Sequence, residues 1–505
     1  MTSERKATQA PSLGDMPVDE FRQYGHAMVD WIAEYLSGIE QYPVLSRVAP
    51  GDITAKLPEH PPASPESMDG VMADIDRVVM PGITHWNHPS FHAYFSISAS
   101  GPGILADMLS SALNVNAMLW KTSPAATELE TVTLNWLREM LGLSKEFEGI
   151  IYDTASVATL HAVAAAREAL NLRIREEGMS GRADLPRLRL YTSEQSHSSV
   201  DKAAILCGIG QAGICKIPVD PEFRMRADAL GVAIEEDKAD GWLPFCVVAT
   251  IGTTSTTSID PVPAIAEICK KHDVWLHVDA SYAGPAAIVP EYRSILDGCE
   301  HADSFVTNPH KWMFTPFDLS AFYCRRMDVL KQAFSLVPEY LRTATDDVAR
   351  NYMDYGIQLG RRFRSLKLWF IIRYFGAQGI AARLREQIRI TQQLAKWIET
   401  DPNFELMAPV PFSLVCFRYR PKEYAEMLAT AGDDEIAQME QEIDGLNERL
   451  METLNASGKL FISHTKLNGK FTLRFAIGNI KTTEDHIRSS WEFIQSEAAK
   501  VKKSQ

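Results

Sequence analysis

The chain has 505 residues, of which 46% are hydrophobic and 23% charged, and a formal net charge of −14. That length accommodates a large core and a smaller second domain, and the composition excludes a disordered chain. An acidic balance without a long basic run excludes nucleic acid as a partner, because phosphate binding needs a basic stripe, and no stretch reaches the roughly 20 apolar residues of a membrane span.

Residues 1–15 read as a polar lead without an apolar signal core. Met16-Pro17-Val18-Asp19-Glu20-Phe21 then opens a helix, with Phe21, Met28, Ile32 and Leu36 near helical spacing. A proline-rich stretch over 50–65 reads as an extended arm, since proline cannot continue a helix, and a second helix is expected over 68–79. Two helices and a strap have no core of their own, so this opening segment (1–100) is expected to pack on a partner subunit.

The middle of the chain (101–380) alternates helices with short apolar strands, at 149–152, 188–191, 245–250, 274–279 and 304–307, with helices such as 159–175 and 262–272 between them. Arg189 interrupts the second strand and suggests a sheet edge. Such alternation predicts an α/β domain with a mostly parallel central sheet, whose ligands sit at the carboxyl ends of the strands. The tail (381–505) carries helices at 381–399 and 434–457 and strands at 412–417 and 470–475, a smaller α+β domain. The 7 cysteines are scattered, with no CxxC pair. No metal site is expected, and the odd count suits a reducing compartment and a cytoplasmic protein.

The chemistry-bearing residues cluster at predicted strand ends. Lys311, in Asn308-Pro309-His310-Lys311-Trp312, follows the strand at 304–307. It is either a surface lysine or an amine whose burial makes it partly neutral and nucleophilic. Asp279 ends the strand before it. It either caps a loop or serves as the counter-ion of a protonated ring nitrogen. Asp153-Thr154-Ala155-Ser156 joins a strand to a helix start, where backbone N–H groups and hydroxyls either cap the helix or hold an anion. Gly252-Thr253-Thr254-Ser255-Thr256-Thr257 forms a second hydroxyl-rich turn after a strand. His197, in a loop, is either a hydrogen-bonding filler or a flat ring able to stack on a planar ligand.

Taken in order, these segments resemble the group II pyridoxal-phosphate (PLP) decarboxylases of the aromatic-L-amino-acid decarboxylase family. The resemblance covers nearly the whole chain. It includes Met80-Pro81-Gly82-Ile83-Thr84-His85-Trp86-Asn87-His88-Pro89, Ser123-Pro124-Ala125-Ala126-Thr127-Glu128-Leu129-Glu130, His277-Val278-Asp279-Ala280, the lysine segment, and Leu359-Gly360-Arg361-Arg362-Phe363-Arg364-Ser365-Leu366-Lys367. It implies a PLP-dependent transferase fold (fold type I) and a homodimer with the active site near the subunit interface, the N-terminal helical layer wrapping the partner. The expected activity is decarboxylation of tryptophan, tyrosine, phenylalanine or a hydroxylated relative to the arylalkylamine.

The resemblance also implies residue roles. Lys311 would form the Schiff base, Asp279 would pair with the pyridinium nitrogen, and His197 would stack on the ring. Ala155, Ser156 and Asn308 would hold the phosphate, with Thr254 and His310 beside the cofactor. Trp86, Tyr94, Phe95 and Met118 would line the substrate side. Tyr340, in Pro338-Glu339-Tyr340-Leu341, would return a proton to Cα, with Tyr352 as the fallback. An oxidative aldehyde synthase is the alternative enzyme, and a non-catalytic binding protein on the same fold is the alternative outside catalysis. The sequence departs from the family pattern at Asp153, where glycine is usual, and at Ser281, where alanine is usual. It departs also at Ser96, Ile97, Asn116 and Met118, all four expected at the substrate pocket.

Overall fold

The computed structural model describes residues 14–336 and 349–503. Seven strands form the central sheet: β1 (Glu148–Tyr152), β2 (Arg187–Ser193), β3 (Ile214–Ile217), β4 (Trp242–Thr250), β5 (Trp275–Asp279), β6 (Ser304–Thr307) and β7 (Ser320–Cys324), in the order β1-β7-β6-β5-β4-β2-β3. The run from β3 to β6 is parallel throughout, while β7 is antiparallel to both its neighbours. The sheet is therefore mostly parallel, as expected, with both faces covered by helices. Its strands are buried almost along their whole length, as β5 shows with all five residues buried, and so read as continuous apolar runs rather than alternating ones.

One expectation is corrected. β2 is not a sheet edge but lies between β3 and β4. Arg189 is tolerated there because the register with β4 shifts between Arg189 and Leu190. This bulge lets the guanidinium reach Asp237 at 2.9 Å and the Ala212 carbonyl at 2.8 Å while resting over the Trp242 ring. The true edge is β3, a four-residue strand interrupted by Lys216.

The tail builds a four-stranded antiparallel sheet from β8 (Phe404–Leu406), β9 (Leu414–Tyr419), β10 (Ser463–Leu467) and β11 (Lys470–Ala476), ordered β10-β11-β9-β8. The helices Asp433–Ala456 and Glu484–Lys503 cover it through a separate apolar core that includes Leu446, Leu450, Phe475 and Trp491. A long helix, Ser365–Thr400, runs from the large sheet to the small one. It breaks at Gly376, whose φ of +66° is open to glycine and strained for other residues. The first helix, Val18–Ser37, has no buried residue. It is tied to the second helical segment by Tyr24 to Asp69 (3.0 Å) and Trp31 to Asp76 (3.1 Å). That segment is an α-helix over Met68–Asp74 followed by a wider turn over Ile75–Val79. Among the described residues no helix is long and apolar enough to cross a membrane.

Candidate active site

Parallel strands place their carboxyl ends along one edge, and the loops leaving that edge converge. β5 ends at Asp279, and β6, paired with it, ends at Thr307. The chain then turns through Asn308 into the short helix Pro309–Trp312. A cavity of about 190 Å³ opens at this point, lined by Lys311, Asp279, His197, Asn308 and His310. Ala155, Ser156, Thr254 and Phe95 complete the set of predicted residues that it brings together.

The Lys311 amine makes no hydrogen bond or ion pair among the described residues and stands 5.6 Å from the Phe95 ring centre. Burial pushes its pKa below the usual lysine range, opposed in part by the Asp279 carboxylate. An amine so placed is partly neutral, the condition for attack on a carbonyl carbon. Asp279 is only 5% exposed. Its Oδ1 accepts the Ser281 N–H at 3.0 Å and the Ser281 hydroxyl, while Oδ2 has no hydrogen bond among the described residues. A buried carboxylate with one oxygen free and no cation bonded to it is an incomplete site.

His197 also lines the cavity. Its Nδ1 accepts the Ser199 N–H at 3.1 Å. Burial, reinforced by the Lys311 cation, lowers its pKa and favours the neutral ring. His310 has its Nδ1 committed to the Leu319 N–H at 3.0 Å, and burial takes its pKa down to about 3. It is thus a neutral anchor for the lysine-bearing turn. Asn308 accepts the Ser320 hydroxyl at 2.7 Å through Oδ1, which leaves Nδ2 as a donor without a partner among the described residues.

One end of the cavity is the start of the helix Ala155–Glu168. The first N–H groups of a helix have no intrahelical partner, and the helix dipole favours negative charge there. Asp153, the acidic departure, is held elsewhere. Oδ1 accepts from Thr154 N at 2.5 Å and from the Thr154 hydroxyl at 3.1 Å, and Oδ2 from Gln358 at 3.0 Å. Its oxygens are consumed by these donors, so the carboxylate does not occupy the helix start as a competing anion.

One contributor carries no local signal in the sequence. Arg474 on β11 is 5% exposed and donates to the Thr254 carbonyl (2.6 Å), the Ser255 carbonyl (3.0 Å) and the Ser463 hydroxyl (3.0 Å), with its guanidinium 5.4 Å from the Phe95 ring centre. It clamps the hydroxyl-rich turn to the small sheet. Phe95 itself is the outermost of three stacked rings. Its centroid is 3.7 Å from that of Tyr282, which is 5.0 Å from that of the buried Trp312.

Several predicted substrate-side residues stand off this cavity within one chain. Trp86 stacks on Phe91 and on the half-exposed Tyr94, with centroids 4.3 and 5.8 Å away. Met118 packs with Leu119 and Met353. Ser96 is buried with its hydroxyl on the Phe91 carbonyl at 3.1 Å, Ile97 does not line the cavity, and Asn116 accepts from Arg361 N at 2.9 Å. Tyr340 lies outside the described residues. The fallback tyrosine is corrected: Tyr352 is 1% exposed, its hydroxyl pairs with Thr131 at 2.8 Å, and its ring lies under the Arg350 and Arg361 guanidiniums. That environment makes it a packing residue with no access to the cavity.

A larger hollow of about 440 Å³ lies beside Asp260 and Pro263. Its buried carboxylate is already satisfied, because Asp260 accepts from Met225 N at 2.7 Å and Thr250 N at 2.8 Å. The smaller cavity has the unfilled donors and acceptors. They match the three functional ends of PLP: an amine for its aldehyde, an acid for its ring nitrogen and a helix start for its phosphate.

The comparisons with known proteins point to the same cofactor. The profile of the pyridoxal-dependent decarboxylase conserved domain matches residues 50–420. The chain is 41% identical to the aromatic-L-amino-acid decarboxylase of Sus scrofa, over 96% of this chain and 98% of that protein. It is 39% identical to the phenylacetaldehyde synthase of Arabidopsis thaliana, over 96% and 97% respectively. Its structure superposes on that of Oryza sativa TDC with PLP and tryptamine at a TM-score of 0.90 and 36% identity, covering 97% of this chain and 99% of the other.

Proposed function

The chain belongs to the pyridoxal-dependent decarboxylases, in the aromatic-L-amino-acid decarboxylase family, and from that premise we propose how its own residues remove carbon dioxide from an aromatic L-amino acid. The observation that carries the reading is the convergence of the Lys311 amine, the half-satisfied Asp279 carboxylate and a helix start on one cavity. Bound there, PLP supplies the electron sink that receives the bonding pair left behind by the departing carboxylate.

Lys311 holds the cofactor covalently through its amine, and burial keeps that amine nucleophilic. Asp279 holds the proton on the ring nitrogen through its free oxygen. His197, kept neutral, covers one face of the ring. The N–H groups of Ala155 and Ser156, the Ser156 hydroxyl and Asn308 Nδ2 hold the phosphate, while His310 and Thr254 shape the cofactor's surroundings. Tyr340 hands a proton to Cα of the product, so Tyr340→Phe is expected to abolish most amine formation and leave PLP bound. Full amine turnover in that variant would remove Tyr340 from the role.

The substrate's flat side chain packs on Phe95, with Trp86, Tyr94 and Met118 on the substrate side and a second copy of the chain beside the site. Exposed apolar residues support that homodimer: Phe21 on the first helix, and Leu105, Met108, Leu109 and Leu113 at helical spacing on the helix Gly101–Leu113. In this reading residues 1–100 wrap the partner, 101–380 hold the cofactor and 381–505 cover it. A purified protein sedimenting as a monomer would end this part of the reading. All seven cysteines are free, which suits the cytoplasmic setting we assign to it.

Incubation of the purified protein with PLP and each aromatic amino acid, with products identified by mass, tests the activity. The expected product is the amine, with one carbon dioxide released. The similarity to an aldehyde synthase supports a second reading, in which the product is the aldehyde, with oxygen consumed and hydrogen peroxide released. The presence of both His197 and Tyr340 favours the amine.

A further inference from the structure

We propose that Ser281 is a positioning residue that locks the Asp279 carboxylate in the rotamer that presents Oδ2 to the cofactor's ring nitrogen. The inference rests on the assignment of Asp279 to that nitrogen.

Ser281 follows β5 by two residues, is 6% exposed and lines the cavity. Its backbone N–H reaches Asp279 Oδ1 at 3.0 Å, which already closes the turn after the strand. Any residue except proline can supply that bond. The Ser281 hydroxyl donates to the same oxygen and has no other hydrogen bond among the described residues, so the turn does not need it. Its effect is on the carboxylate. With two donors on Oδ1, rotation about the Cβ–Cγ bond breaks both, and an alanine at this position would leave only one bond to resist rotation. Hydrogen bonds to ionised groups are the stronger class, and burial removes the water that would replace the lost donor. The other titratable groups that act on Asp279 are Lys311, His197 and His277. None of them is hydrogen-bonded to the carboxylate among the described residues, so Ser281 is the part that fixes its orientation.

The test uses the full chain freed of PLP and the variants Ser281→Ala, Ser281→Thr and Asp279→Asn. PLP affinity is followed by spectral titration, and the pH midpoint of the bound cofactor's visible band is read on the loaded protein. Ser281→Ala is expected to weaken PLP binding about tenfold, the order of one charge-assisted hydrogen bond, and to shift the band's pH midpoint. Ser281→Thr, which keeps the hydroxyl, should restore both. In the Asp279→Asn background, Ser281→Ala should add little, because the charged acceptor is gone.

A packing role alone would lower the melting temperature and leave the band's midpoint in place. Ser281→Ala with affinity within about twofold and a band midpoint within about 0.2 pH units of the parent would overturn the inference while Asp279→Asn still binds PLP more weakly than the parent. Wild-type affinity and midpoint in Asp279→Asn would instead overturn the assignment of Asp279 itself.

Discussion

Two of the groups of buried charge around the large sheet are built on different plans. At Glu130 and Arg361 the opposite charges are bonded directly to each other. Arg361 donates to Glu130 Oε1 at 2.6 Å, to the Ile151 carbonyl at 2.9 Å and to the Ala117 carbonyl at 3.1 Å, while the same Glu130 oxygen accepts Ile151 N at 2.9 Å. The pair stitches the helix Pro124–Leu141, β1 and the loop at Ala117 into one unit. At Asp279 and Lys311 the opposite charges are not bonded to each other, and the amine has no partner among the described residues, although both groups are removed from water. A buried pair bonded to itself holds structure, whereas buried opposite charges left apart are open to a ligand.

The largest expected consequence is at Lys311. Lys311→Ala should lose the visible absorbance of bound PLP and reduce amine formation by about 10⁴-fold or more, the scale for removing a covalent nucleophile. Its circular dichroism and melting curve should stay near those of the parent, since the amine supports no hydrogen bond among the described residues. Unchanged turnover would place the chemistry elsewhere. Asp279→Ala comes next, with loss of cofactor affinity and a drop in turnover of about 10²–10³-fold, the scale for deleting one preorganised electrostatic partner. A PLP-replete, fully active Asp279→Ala would break the contrast by showing that the free oxygen was not waiting for anything.

The directly bonded pair should respond in stability. Arg361→Ala strands Glu130, 1% exposed, without its cation, and the expected loss is about 3–5 kcal/mol of unfolding free energy. A urea titration checks it. An Arg361→Ala protein as stable as the parent, with activity lost, would mean that this pair too belongs to the site.

The same contrast explains what could be read without a structure. Asp279 and Lys311 were legible as a candidate pair because Asp279 ends the apolar run of β5 and Lys311 follows β6 by a short turn, and neighbouring strands of a parallel sheet bring their ends together. The helix start at Ala155 gave only a weak signal by itself, because ordinary N-capping reads the same way. β3 and β7 were not, the first being four residues with a lysine among them and the second following too soon after the lysine turn to stand apart. The closing helix Glu484–Lys503 also went unread, its charged residues outweighing its apolar stripe. Arg474 was illegible for a deeper reason. Its partner Thr254 lies 220 residues away, in the turn after β4 of the other sheet, and no local pattern marks a residue whose role exists only after the two sheets pack. The Leu359–Lys367 segment was recognisable by its residues, and the structure supplies the reason. Arg361 binds Glu130 at 2.6 Å, Arg364 binds Asp318 at 2.9 Å, and the buried Lys367 binds Asp107 at 3.0 Å.

A third buried group sharpens the rule at the smallest scale. His161 is fully buried, stacks on Tyr152 with centroids 4.2 Å apart, and is satisfied at both nitrogens. Nδ1–H donates to the Val157 carbonyl at 2.6 Å, and Nε2 accepts the Ile357 N–H at 3.0 Å. This tautomer has no room for a second proton, because protonated Nε2 would face the Ile357 donor. Burial accordingly takes its pKa from 6.5 down to about 4. Between those two values the unfolded chain binds the proton and the folded chain does not, so stability is fully present above pH 6.5 and falls as the pH drops towards 4. A shift of this size corresponds to roughly 3–4 kcal/mol at about 1.4 kcal/mol per unit. His88 and His277, each also lowered to about 4, steepen the wild-type curve. The informative quantity is therefore the difference between the parent and His161→Gln in urea midpoint at pH 7 and pH 4.5. The variant should be weaker at pH 7 and should lose less on acidification. Equal acid losses in the two proteins would show that His161 takes up its proton without unfolding, and that saturation at both ring nitrogens does not hold this group neutral.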